Sequence, residues 1–134
     1  MKRTVKFLLV LTTVFLLVFT SMCFAASTSY DFNTGDGGRA WLSGRDNGVF
    51  YSLTDGSHTL SLTNSSGTGT LYITLYKDNS WFGLGQMMGT WTWNVSTGTN
   101  DSHNYSVDET RNDYYLFFKG SGSYVSYSGS GTFN

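Results

Sequence analysis

Apolar and polar residues alternate along most of this chain with the two-residue period of a β-strand. Leu71, Ile73 and Leu75 alternate with Tyr72, Thr74 and Tyr76, the mark of a strand with one buried face. Trp91, Trp93 and Val95 alternate with Thr90, Thr92 and Asn94 in the same way. Val49, Tyr51 and Leu53 form another such set, and His58, Leu60 and Leu62 another. Tyr114 to Lys119 is a continuous apolar and aromatic run, which predicts a strand covered on both faces. Tyr124 to Tyr127 and Ser130 to Phe133 complete the series.

Turn residues separate these runs at short intervals: Asp46-Asn47-Gly48, Asp55-Gly56, Asn64-Ser65-Ser66-Gly67, Lys77-Asp78-Asn79, Ser96-Thr97-Gly98 and Lys119-Gly120-Ser121-Gly122. No stretch carries a helical period apart from the N-terminal segment. The pattern predicts an all-β fold: a single antiparallel sandwich, jelly-roll-like, of about eight to ten short strands. There is no internal repeat and no linker, so residues 26–134 are expected to form one domain.

The N-terminal segment follows different rules. Lys2, Arg3 and Lys6 precede an apolar run from Phe7 to Phe19, and small residues then lead to Cys23-Phe24-Ala25. This is the layout of a signal peptide cleaved after Ala25, which predicts a secreted, extracellular protein. A membrane anchor is disfavoured by Thr12, Thr13, Thr20 and Ser21 and by the missing positive flank. Lipidation at Cys23 is disfavoured by the poor match of Thr20-Ser21-Met22 to a lipobox. Cleavage would also remove the only cysteine, leaving a domain with no disulfide and no thiolate metal ligand.

Charge narrows the partners. Three of the eight Lys and Arg lie before Phe7, so five basic side chains face nine acids in the remainder. A mildly acidic domain without a basic stripe or amphipathic helix is not expected to bind nucleic acid, nor a membrane once the signal is cleaved. Ser, Thr, Asn and Gly make up about half of residues 26–134, yet aromatics are abundant, which argues for a folded domain.

Two short stretches resemble known families. Tyr30-Asp31-Phe32-Asn33-Thr34-Gly35-Asp36-Gly37-Gly38, followed by Trp41, resembles the opening of jelly-roll carbohydrate-binding modules, and Gly56-Ser57-His58-Thr59-Leu60-Ser61-Leu62 resembles their next strand. Asp113-Tyr114-Tyr115-Leu116-Phe117-Phe118-Lys119-Gly120-Ser121-Gly122 resembles the last hairpin of pre-peptidase C-terminal domains of secreted bacterial proteins. The resemblance implies a small secreted bacterial β-sandwich module. The paired aspartates of the pre-peptidase family's central strand are replaced by Gly69-Thr70-Leu71-Tyr72, so it implies no calcium site.

The candidate binding residues are aromatic. Sugar rings stack their C–H faces on indole and phenol, while Asn and Asp hydrogen-bond hydroxyls. Trp91 and Trp93 share the face of Val95 and are expected in the core. Trp81 lies in the turn-like Asp78-Asn79-Ser80-Trp81-Phe82-Gly83, where packing does not account for it, and is the first candidate. Trp41, between Arg39 and Arg45, is the second, and Tyr76 and Asn79 flank Trp81. The expected ligand is an extracellular polysaccharide or cell-wall glycan.

No metal or other cofactor is expected. Asp31, Asn33, Asp36 and Asp46 do not meet the EF-hand pattern, and Asp108, Glu109 and Asp113 read as a solvated turn. Nor is an enzyme expected. Glu109 is the sole glutamate, His58 reads as a strand residue, and His103 lies in the polar Asn100-Asp101-Ser102-His103-Asn104. Asn64, Asn94, Asn100 and Asn104 each match the glycosylation acceptor pattern, which matters only in a eukaryotic secretory pathway. Two other classes stay open beside glycan binding: a secreted effector, bacteriocin-like or inhibitory, and a surface or matrix protein that self-associates through strand edges.

Overall fold

The computed structural model describes residues 25–36, 38–42, 49–79 and 85–134, without the side chains of Asp36, Trp41 and Leu42. The expected signal segment, Asp46 and Trp81 lie outside the described residues. The strands are β1 (Ala26–Asn33), β2 (Arg39–Leu42), β3 (Tyr51–Leu53), β4 (Gly56–Ser66), β5 (Gly69–Lys77), β6 (Gln86–Val95), β7 (Asn100–Val107), β8 (Arg111–Gly120) and β9 (Ser126–Phe133). They form two antiparallel sheets. The first has the order β1-β9-β4-β7 and the second β2-β8-β5-β6, with β3 also paired to β8. From β4 onward the chain crosses between the sheets at nearly every connection, β5-β6 being the one hairpin within a sheet. With β2 and β3 sharing one flank of β8, this is the strand arrangement of a jelly roll.

Period-two patterning decides which side chains go inside. Leu60 and Leu62 on β4, Leu71, Ile73 and Leu75 on β5, and Leu116 and Phe118 on β8 are all buried. Each such side chain contributes roughly 1.5–3 kcal/mol on removal from water. Tyr30 stacks on Phe118 across the sandwich at 4.7 Å between ring centroids. Trp91 and Trp93 stack on each other at 5.1 Å and are buried, as their alternation with threonine predicts. Tyr105 ties the two sheets directly: its hydroxyl donates to the Ile73 carbonyl at 2.6 Å.

Three expectations are corrected in detail. Of the turn expected at Asn64-Ser65-Ser66-Gly67, Asn64 to Ser66 are the last part of β4 and only Gly67 lies in the β4–β5 connection, and Asn64 is fully buried. Tyr124 is not a strand residue but lies in the loop between β8 and β9. The polar stretch around His103 is strand β7, in register with β4 from Gly56 opposite Val107 to Thr63 opposite Asn100. His58 is a satisfied core residue: its Nε2 lies 2.7 Å from the Thr54 carbonyl.

Candidate functional site

The inner faces are filled by packing, which leaves the outer ones as the exposed surfaces of the sheets, and these differ sharply. The outer face of the first sheet is built from hydroxyl and amide side chains. One cross-strand row runs Ser29, Ser130, Thr63, Asn100, and the next runs Ser27, Thr132, Ser61, Ser102. A shallow depression of about 480 Å³ lies over Ser61, Thr63, Asn100, Ser102 and Thr132.

The outer face of the second sheet is aromatic. The β5–β8 register sets Tyr72 opposite Lys119, Thr74 opposite Phe117 and Tyr76 opposite Tyr115. Tyr76 and Tyr115 stack at 5.4 Å with an interplanar angle of 12°. Tyr76 also meets Phe117 edge-on at 6.4 Å. Tyr72 is 37% exposed, and Met87, opposite Tyr76 on β6, is 62% exposed. Between them, Thr74 and Thr90 share a 2.9 Å hydroxyl–hydroxyl hydrogen bond. Tyr115 itself is buried and Tyr76 and Phe117 are half-buried, so the apolar surface open to a ligand is mainly Tyr72, the edge of Tyr76 and Met87, with the hydroxyls, Lys119 and Asn94 around it.

Of the residues expected from sequence to bind ligand, Tyr76 lies within this aromatic row, and Asn79 is exposed just beyond the end of β5. Trp41 is paired through its backbone with Phe117, which brings its position alongside the same row. Trp81 lies outside the described residues. The run Tyr114–Lys119 is largely covered on both faces, as its pattern predicts, and on the outer one Tyr115 is buried and Phe117 half-buried. Only the cross-strand register shows that they share a surface with Tyr76.

The chain leading to Asn79 is held by ion pairs. Lys77, almost entirely buried, reaches Glu109 at 2.7 Å and Asp108 at 3.2 Å. Arg111 bonds Glu109 at 3.1 Å and Asp113 at 2.5 Å, and donates to the Asp78 carbonyl at 3.0 Å. The group expected as a solvated turn is therefore a clamp between β5 and the β7–β8 turn. Hydrogen bonds from Lys77 and then Arg111 hold the Glu109 carboxyl below its ordinary value of 4.5, the wrong direction for a general acid. The Lys77 ammonium, bonded to Glu109, is raised.

A pH dependence follows. Because folding lowers the affinity of Glu109 for its proton, its contribution to stability is complete above the unfolded value of 4.5 and is lost as pH falls through the lower folded value. Thermal melts between pH 7 and pH 3 are expected to show an acid decline that Glu109→Gln flattens. An unchanged acid limb in that variant would show that the clamp plays no part in it.

A second exposed aromatic stands apart. Tyr124 is 88% exposed and has φ of 59°, a left-handed conformation rarely adopted by an aromatic residue. Reciprocal bonds between Thr34 and Val125 fix its loop: Thr34 N donates to Val125 O at 2.9 Å, and Val125 N donates to Thr34 Oγ1 at 2.5 Å. This loop follows the C-terminal end of β8, whereas Asn79 neighbours its beginning through the Asp78–Asp113 backbone bond. Among the described residues, no group of three or more His, Cys, Asp or Glu side chains is placed to hold a metal ion.

No family model matches the chain, and no curated protein does. Among solved structures, one of Bacillus endospore appendages, described as a novel family of disulfide-linked pili, is 17% identical with a TM-score of 0.44, over 81% of each chain. Another, of infectious bursal disease virus strain Gx, is 17% identical with a TM-score of 0.34, covering 80% of this chain and 31% of that one. The chain is thus distantly similar to an appendage protein and a virus protein, and its function has to be read from its own surfaces.

Proposed function

We propose that this is a secreted, non-catalytic β-sandwich that binds an extracellular or cell-envelope glycan on the outer face of its second sheet. The observation that carries the reading is the aromatic row of that face, with Tyr72 37% exposed to solvent and the half-buried Tyr76 fixed by stacking on the buried Tyr115. Such a row accepts the apolar face of a sugar ring without having to order itself first, which lowers the entropic cost of binding. Lys119, opposite Tyr72, would offer a donor to ring hydroxyls, and Asn79 would meet a ligand long enough to reach the far end of β5. The role assigned to Trp41 and Trp81 from sequence belongs to the same proposal.

Peptidoglycan, chitin, cellulose and xylan form a suitable panel for depletion of the protein from solution. Saturable depletion by one of them is expected, weakened about tenfold or more in Tyr72→Ala, since stacking on one aromatic contributes on the order of 1–2 kcal/mol. Tyr72 is half-exposed, so the variant should keep the wild-type melting temperature within a few degrees. Absence of depletion by every polymer, or full retention in the variant, would remove this reading.

A further inference from the structure

The two edges of the first sheet are long and regular, and each carries a single acid, Asp31 on β1 and Asp101 on β7. β1 and β7 contain no Lys, Arg or Pro, and each keeps eight consecutive pairings with its neighbour without a bulge. Charge, proline and bulges are the usual means by which natural sheets prevent edge-to-edge pairing. The second sheet uses them: Arg39 begins β2, the β3 pairing shifts register, and the pairing of β6 shifts between Leu75 and Tyr76. Among the described residues, no strand pairs with the outer flank of β1 or of β7.

The geometry points to a second copy of this chain as the occupant of these edges: we propose head-to-tail association in which β1 of one copy adds to β7 of the next. Three antiparallel pairings separate β1 from β7, so the two strands run in opposite directions. A copy in the same orientation therefore presents its β1 antiparallel to β7, and the alternation of the sheet continues without a break. Both strands are eight residues long. Full overlap sets Ala26 opposite Val107 and Asn33 opposite Asn100, and it matches the pleat at every position. Inward Tyr30 meets inward His103 and inward Thr28 meets inward Tyr105, while outward Ser29 meets Asn104 and outward Asp31 meets Ser102. A one-residue slip would put every inward side chain against an outward one. The same register keeps the two acids apart, with Asp31 outward and Asp101 at an inward position opposite Phe32.

Pairing of this kind is heterologous: each copy keeps a free β7 at one end and a free β1 at the other, and growth does not stop at a dimer. The hydroxyl-and-amide face would run on from copy to copy. This proposal is independent of glycan binding, because the aromatic row lies on the other sheet.

Sedimentation velocity of the purified full chain over a wide concentration range tests it, with reductant present so that Cys23 forms no disulfide. Wild type is expected to show a sedimentation coefficient that climbs steadily with concentration. Ser102→Asp places a like charge opposite Asp31 of the next copy and should weaken assembly by about fivefold at low salt, whereas Ser102→Lys should strengthen it by a similar factor. The double variant Asp31→Lys/Ser102→Asp should return to wild-type behaviour. Opposite signs at one position exclude a folding defect as the cause. A single monomeric species at every concentration, or equal effects of Ser102→Asp and Ser102→Lys, would overturn the proposal.

Discussion

Replacing Asn64 with alanine should destabilise the protein by about 3–5 kcal/mol, a large part of the roughly 5–15 kcal/mol available to a domain of this kind. Asn64 is fully buried, yet its side chain is completely bonded. Its Oδ1 accepts from the Tyr30 hydroxyl at 2.8 Å, and its Nδ2 donates to the carbonyls of Gly67 at 2.9 Å and Ser96 at 3.1 Å. Its backbone adds bonds to Thr99 at 2.8 Å and Gly98 at 2.7 Å. One residue thus fastens the β4–β5 turn, the β6–β7 turn and strand β1. Truncation strands the buried Tyr30 hydroxyl and the Gly67 carbonyl, each costing about 1–3 kcal/mol when left without a partner, while the Ser96 carbonyl keeps the Thr99 N–H and hydroxyl. Urea denaturation reads this as a lower midpoint at unchanged slope. Tyr30→Phe removes only one of the three bonds and should cost less, and the double variant should cost less than the sum. A loss below about 1 kcal/mol for Asn64→Ala would contradict the assignment of Asn64 as the hub.

Gly131→Ala is expected to have an effect of similar size. β9 lies between β1 and β4 in the first sheet, and its inward positions opposite Thr28 and Tyr30 are Gly131 and Gly129. A Cβ at Gly131 would collide with the Ser61 carbonyl oxygen and come within 2.9 Å of the Leu62 side chain. A Cβ at Gly129 would collide with the Thr63 carbonyl and the Tyr30 hydroxyl. Flexible side chains can yield to one methyl group at about 1–3 kcal/mol, but a backbone carbonyl held in a central ladder cannot move without breaking its pairing. The expected cost exceeds about 3 kcal/mol, seen as loss of soluble folded protein or a collapsed melting temperature. Ser130→Ala, one residue away and pointing outward, should stay within about 0.5 kcal/mol of wild type. Equal behaviour of the two variants would show that the close approach at Gly131 is not a constraint.

These two sites mark where sequence reading stopped. The strands with large apolar residues on one face were legible: Leu71, Ile73 and Leu75, or Trp91, Trp93 and Val95, fix their own orientation. β7 was not. Its outward positions are Asn, Ser, Asn and Ser, its inward ones begin with Asp101 and His103, and only Tyr105 and Val107 betray a buried face. Pairing with β4 makes it a strand, and His103 earns its place by stacking on Trp91 at 5.6 Å. Asn64 reads as a turn residue because asparagine favours turns. Its burial depends on Tyr30, Gly67 and Ser96, which are distant in sequence or invisible as partners without the fold. Tyr124 reads as part of a strand, but it is left-handed and lies in a loop whose next residue, Val125, is bonded to Thr34. The same limit applies to the candidate site. Tyr76 and Asn79 could be picked from composition and turn position, but the surface that gives Tyr76 its neighbours is assembled by the β5–β8 register.

The ion-pair clamp shows the same dependence on long-range contacts. Asp108, Glu109, Arg111 and Asp113 are ordinary turn residues in sequence, and the partner that alters the role of Asp108 and Glu109 is Lys77, two strands earlier. Lys77 occupies an inward position of β5 and survives there because two carboxylates meet it at the end of the sandwich.

The measurement that tests the central claim most directly is hydroxyl-radical footprinting of the protein with and without the glycan that retains it. Side-chain oxidation should fall at Tyr72, Tyr76 and Met87 when glycan is bound, while Tyr124, on a loop beyond the far end of β8, should react as before. Protection at Tyr124 with none at Tyr72, or unchanged oxidation on the second sheet at saturating glycan, would contradict the placement of the binding surface on its aromatic face.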